Sequence, residues 1–132
     1  MTNGEMLLDS DVVIAAFRQE PDAQKALRDA ARVLIPVIVV GELLAGARKG
    51  GQMERETQRI EDLIAAGQVL GCDLETAHHY AAVRDELRLQ GRPIPENDVW
   101  IAALARQHDL TLATRDNHFA GIEGLRVESC RN

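Results

Sequence analysis

Short apolar runs alternate with longer amphipathic stretches along this chain. Residues 6–8 form an apolar run that stops at Asp9, and Val13, Ile14 and Phe17 follow at helical spacing. Pro21 suits a first helical turn, so it opens a second helix, predicted over 22–31, and a short buried strand is expected at 33–35. The next stretch carries two signals. Its VIVV run has strand propensity, but Pro36 is badly placed inside a central strand and well placed at a helix start. Residues 36–48 therefore read as a helix ended by Gly50 and Gly51. Ile60, Leu63 and Ile64 share one face of a helix over 53–66, closed by Gly67, and a strand is expected at 69–71. Tyr80, Val83 and Leu87 mark a helix over 74–90 with Gly91 just past its end. After the loop set by Pro93 and Pro95, Asn97 or Asp98 is expected to cap a helix through His108, with Ile101, Leu104 and Ala105 facing inward. Strands at 111–113 and 125–127 complete the pattern.

Strands thus alternate with helices, and they are continuously apolar rather than alternating. That pattern predicts an α/β fold: a short, mostly parallel central sheet flanked by helices on both faces. No repeat, low-complexity tract or linker divides the 132 residues, a length that suits a single domain over 1–132.

Composition narrows the function. The chain is 45% hydrophobic but only 3% aromatic, and Phe17, Tyr80, Trp100 and Phe119 are too few for binding single strands mainly by base stacking. A net charge of −6 disfavours a generic basic nucleic-acid binder and leaves room for a local basic rim around an acidic site. Arg55 and Arg59, and then Arg84, Arg88 and Arg92, recur at helical spacing. We expect solvated faces paired with acids such as Glu56, Asp85 and Glu86 rather than a phosphate track. Cys72 and Cys130 form neither a disulfide framework nor a CxxC motif. No apolar run approaches the roughly 20 residues of a membrane span. The opening MTNGEM lacks the basic and apolar regions of a secretory signal, so a soluble, cytoplasmic protein is expected.

The acids carry the chemistry. Asp9 ends the first strand, Glu42 sits in the apolar segment VVGELLAG, Asp98 stands at a helix start, and Asp116 follows the strand TLAT. In a parallel α/β sheet the carboxyl ends of strands and the neighbouring helix starts converge on one crevice. Singly, Asp9 and Asp98 read as N-caps and Asp116 as a turn residue, whereas a glutamate inside an apolar helix asks for a partner. Four carboxylates in one pocket repel unless matched, and Mg2+ or Mn2+ matches them. Metals held this way support displacement at phosphorus, which makes phosphodiester hydrolysis the natural chemistry.

At these residues the sequence resembles a known family. LLDSDVVIAAF, IPVIVVGELLAGARKG, GRPIPENDVWIAALARQHDLTLATRDNHF and GIEGLRV look like the PIN-domain ribonucleases, and most closely the VapC-type toxins of bacterial toxin–antitoxin pairs. The resemblance implies a PIN-like fold with Asp9, Glu42, Asp98 and Asp116 as catalytic, metal-binding acids. It places the hydroxyl of Thr114 beside them, and Arg115, next to Asp116, is suited to a phosphate contact. The implied activity is Mg2+- or Mn2+-dependent endonucleolytic cleavage of RNA by an activated water, leaving a 5′-phosphate and a 3′-hydroxyl. The implied assembly is a homodimer that joins a VapB-type antitoxin in a heterotetramer or larger complex and meets DNA only through that antitoxin. An acidic groove suits a basic, arginine-bearing antitoxin segment.

One position departs from the pattern: Asp11 stands where the family usually has asparagine. The extra carboxylate could face solvent, cap the helix or alter metal affinity. The scheme needs no histidine; His118 lies near Asp116, and His78 and His79 are expected on the surface of the long helix. Two alternatives remain. LLDSDVV fits the DxDx[TV] motif of haloacid-dehalogenase-type phosphatases, with Asp9 as nucleophile and Asp11 as acid. That reading lacks the required acidic pair, has only Lys49 as a late lysine and leaves Glu42 unexplained. The other alternative is a non-catalytic binding module built on the PIN fold.

Overall fold

A computed structural model describes residues 4–130, so residues 1–3 of the opening segment read above for a signal lie outside it. The order of elements is β1 (Glu5–Leu8), α1 (Ser10–Phe17), α2 (Pro21–Asp29), β2 (Arg32–Pro36), α3 (Val37–Lys49), α4 (Met53–Ala66), β3 (Gln68–Leu70), α5 (Leu74–Leu89), α6 (Glu96–His108), β4 (Thr111–Thr114), a 3-10 turn at Asn117–Phe119, and β5 (Arg126–Ser129). The five strands form one sheet in the order β3-β2-β1-β4-β5, and every pairing is parallel.

Successive strand residues point to opposite faces, yet Met6, Leu7 and Leu8 are all buried, as are Leu112, Ala113 and Thr114. Both faces of the central strands are therefore covered, which explains why those strands read as unbroken apolar runs. From β1 the chain steps outward through β2 to β3, then returns past β1 to β4 and β5. With right-handed crossovers, that reversal puts α1 to α4 on one face and α5 and α6 on the other. The helices pack as pairs, α1 on α2, α3 on α4 and α5 on α6. The core between them is aliphatic, with Phe119 the one fully buried aromatic ring. Tyr80 and Trp100 stack at 4.0 Å between α5 and α6.

The VIVV run is helical, as Pro36 predicts: the proline closes β2 and serves as N-cap of α3. One expectation is corrected. Neither Asn97 nor Asp98 caps α6, because Pro95 begins it and its carbonyl accepts from Asp98 N at 3.0 Å and Val99 N at 3.2 Å. Proline's fixed φ, here −55°, makes it competent for that entry without a side-chain cap. Asp98 is thereby released from capping and sits inside the first turn. Smaller shifts put β5 at Arg126–Ser129, β3 at Gln68–Leu70 and the end of α2 at Asp29. Among the described residues no helix is long and apolar enough to cross a membrane.

Candidate active site

The strand order reverses between β1 and β4, and in such sheets the crevice beyond the carboxyl ends of those strands receives ligands. Asp9 leaves β1 there. Its backbone N–H donates to the Ala113 carbonyl at 3.0 Å, pinning the turn to β4. Its side chain caps α1, with Oδ1 accepting from Ser10 N at 2.8 Å and Oδ2 accepting from the Thr114 hydroxyl at 2.7 Å. Asp9 is only 5% exposed. Burial is the main reason its carboxyl is pushed up to about 7; the two hydrogen bonds pull the other way, and the nearby Asp11 and Asp98 charges add to the rise.

Thr114 closes β4 and is buried. Its oxygen also accepts from Asp116 N at 3.0 Å, so one hydroxyl sets the spacing of Asp9 and Asp116. Asp116 in turn caps the 3-10 turn, its Oδ1 accepting from His118 N at 2.9 Å. Across the cleft, Asp98 projects from the first turn of α6. His118 Nδ1 lies 2.8 Å from Asp98 Oδ2 and 3.0 Å from Asp116 Oδ2. The Asp98 carboxyl is raised chiefly by burial; the hydrogen bond and charge of His118 lower it, and Asp116 and Glu42 raise it further. Glu42 stands on the exposed side of α3 and accepts from Asn97 Nδ2 at 3.3 Å.

All four acids singled out from the sequence therefore line one open cleft of about 460 Å³, together with Asp11 and His118. Among the described residues, the group whose ligand atoms come within 4.8 Å of one another is Asp98, Asp116 and His118, with Asp9 and Glu42 around it. Sequence reasoning left two participants aside. Asp11 neither caps its helix nor simply faces solvent; its carboxylate accepts from Arg115 N at 3.2 and 3.3 Å, and burial raises its pKa. The signal was the Asp-x-Asp spacing after a strand. For His118 it was its place two residues after Asp116 in TRDNHF.

The basic residues are mostly committed elsewhere. Arg115 Nη1 pairs with Glu20 at 2.6 Å, so a phosphate contact from it requires that pair to open. Arg88 meets Asp85 at 2.6 Å, the solvated pairing expected, whereas Arg59 lies over the Phe17 ring and donates to the Phe17 carbonyl at 2.5 Å, with Glu56 at 3.8 Å. Arg84 instead joins Glu96 at 2.6 Å, and Glu86 takes Arg106 at 2.9 Å. Arg92 reaches the His118 carbonyl at 3.0 Å. Neither lysine lines the cleft, so a phosphatase of the haloacid-dehalogenase type lacks its cation here.

Six carboxylates and one imidazole line the open, polar cleft, and one of the six, Glu96, is held by Tyr80 and Arg84. An all-oxygen majority with a buried acid pushed up by its surroundings fits a divalent cation of the Mg2+ or Mn2+ class, which would supply the missing positive charge.

Comparison with known proteins identifies the family and the fold. The PIN domain family model matches residues 6–125. The chain is 32% identical to Ribonuclease VapC2 of Haemophilus influenzae, covering 93% of this chain and 96% of that protein. It is 30% identical to the tRNA(fMet)-specific endonuclease VapC of Shigella flexneri, covering 94% and 96%. Among solved structures, the DNA-bound VapBC of Salmonella typhimurium superposes with a TM-score of 0.87 at 27% identity, over 96% of this chain and 98% of that one.

Proposed function

Since the chain belongs to the PIN-domain family, and within it to the VapC-type toxins, we propose that it is a divalent-metal-dependent endoribonuclease restrained by a VapB-type antitoxin. The observation that carries this is the convergence of Asp9, Glu42, Asp98 and Asp116, from four distant segments, on the cleft at the β1/β4 reversal. Asp9, Glu42, Asp98 and Asp116 would hold Mg2+ or Mn2+. When bound, the ion supplies the positive charge that lets a polyanion enter an acidic cleft and assists attack of water at phosphorus.

The chain's own residues hold that arrangement in place. Thr114 and Ser10 fix both oxygens of Asp9, and Thr114 sets Asp116 against it through the Asp116 N–H. Entry of α6 through Pro95 leaves the Asp98 side chain free for the cleft. Asn97 steadies Glu42 on the opposite wall. Arg115, whose backbone N–H is bonded to the cleft residue Asp11, would offer its guanidinium to the RNA backbone once released from Glu20. The Salmonella relative is a DNA-bound VapBC, and a further structural neighbour, VapBC-5 of Mycobacterium tuberculosis, is a member of the VapBC family of toxin-antitoxin systems. We infer a comparable cytoplasmic assembly here: a homodimer bound by antitoxin, in which a basic antitoxin segment occupies the acidic cleft.

The test is to incubate antitoxin-free protein with total cellular RNA and Mg2+ or Mn2+ and to map new 5′-phosphate ends. Discrete ends that vanish with a chelator and in Asp98→Asn are expected. Their absence from folded, antitoxin-free protein would overturn the nuclease reading in favour of a binding module.

A further inference from the structure

The PIN-type chemistry proposed above calls only for carboxylates, yet an imidazole sits among them. We propose that His118 is a nitrogen ligand of the divalent ion, making this a mixed nitrogen–oxygen site that favours transition metals over Mg2+; the inference rests on the metal-dependent reading of the same cleft.

Three observations carry it. The first is distance. Nδ1 lies 2.8 Å from Asp98 Oδ2 and 3.0 Å from Asp116 Oδ2. Adjacent ligands of an octahedral ion with bonds of about 2.1 Å are about 3.0 Å apart, so Nδ1 stands at a neighbouring ligand's separation from each carboxylate oxygen, and ligand atoms of all three residues lie within 4.8 Å of one another. The second is preorganisation. His118 does not hang from a loose loop: its N–H donates to Asp116 Oδ1 at 2.9 Å, and its carbonyl accepts from Arg92 Nη2 at 3.0 Å. The next residue, Phe119, is fully buried. The turn therefore delivers the imidazole to the same point that its partners occupy. The third is access. The His118 side chain is 43% exposed and lines the open cleft, so an ion reaches it without rearrangement of the core.

The consequence is selectivity. Mg2+ prefers oxygen ligands, whereas Mn2+, Co2+ and Ni2+ accept imidazole increasingly well. A histidine in the ligand set raises affinity for the latter ions and leaves Mg2+ little changed.

Titration of metal-free, antitoxin-free protein with MgCl2, MnCl2 and CoCl2 tests this by calorimetry. Pulsed electron paramagnetic resonance of the Mn2+-loaded wild type provides a second readout that needs no substitution. We expect a nitrogen coupling in that spectrum, lost in His118→Asn, and a fall in Co2+ affinity of about tenfold or more with Mg2+ affinity altered less than about twofold. Circular dichroism verifies the fold of the variant. If His118 instead serves as a counter-cation that an ion must displace, His118→Asn would bind every ion more tightly and no nitrogen coupling would be seen. That result overturns the proposal while leaving the carboxylate site intact. Failure of wild-type protein to bind any of the three ions would defeat the metal-dependent function itself and this inference with it.

Discussion

At the scale of single residues, Asp9 shows how a proposed metal ligand opposes the fold that carries it. Its carboxyl, pushed up to about 7 by burial, is ionised at neutral pH only at the expense of stability. Between its unfolded pKa and about 7 the native state holds more protons than the unfolded one, so this group's effect lowers stability as pH rises through that window. Above pH 7 the penalty is complete; below the ordinary carboxylate range it is absent. Asp9→Asn keeps a residue that caps helices well and removes the charge. In metal-free protein we expect Asp9→Asn to melt several degrees higher than wild type at pH 8, on the order of 2 kcal/mol, with the gap closing by pH 4. Thermal unfolding at both pH values in the presence of chelator checks it, and a variant no more stable at pH 8 would refute the account. Asp9 was legible in the sequence because it ends an apolar run. Asp11 was legible only as a letter, since its bond to Arg115 N spans 104 positions that no local pattern connects.

Elements decide which of those residues can meet. The ambiguous VIVV run resolves as helix because Pro36 marks the joint between β2 and α3, and that resolution puts Glu42 on the cleft wall rather than in the sheet. At α6 local reading failed for a clear reason. Asp and Asn are favoured N-caps, but Pro95 had already started the helix, so the residue that read as a cap is instead left facing the cleft. The turn after β4 was invisible as an element because three residues of 3-10 helix have no periodicity to read. Its position depends on a tether from another segment, Arg92 in the loop that follows α5. Gly121, at φ +82°, lies where an added Cβ would stand 3.0 Å from Arg92 Nη1, so the same guanidinium also limits the chain after the turn. Arg92→Ala should therefore raise hydrogen exchange at 117–119 by about tenfold, with β1 and β4 unaffected, because it removes one bond to a charged donor. It should also reduce divalent affinity several-fold through the looser Asp116 and His118. Unchanged exchange in the turn would show that Phe119 alone anchors it.

On the scale of the whole molecule, the fold class was readable because parallel strands buried on both faces must be apolar throughout and must alternate with helices. Strand order was not, since β3-β2-β1-β4-β5 depends on which face each crossover takes. That order is what makes the site. β1 and β4 become neighbours only because the chain reverses after β3, and the acids they carry then share one end of the sheet with those of α3 and α6. The acids proposed as ligands come from segments as distant as Asp9 and Asp116 and do not exist as a set in the unfolded chain. On the proposed reading, divalent binding therefore adds to the free energy of global unfolding. At an ion concentration 100 times its dissociation constant, one site adds about 2.7 kcal/mol. Chemical denaturation should show a midpoint that rises with Mn2+ while the slope stays constant, since the surface exposed on unfolding is unchanged. Asp98→Asn and Asp116→Asn should each abolish most of that shift, whereas Asp62→Asn, on exposed α4 and paired with Gln58 at 2.9 Å, should retain it. A midpoint that rises equally in all three variants would mean that the ion screens the net charge of −6 rather than occupying the cleft.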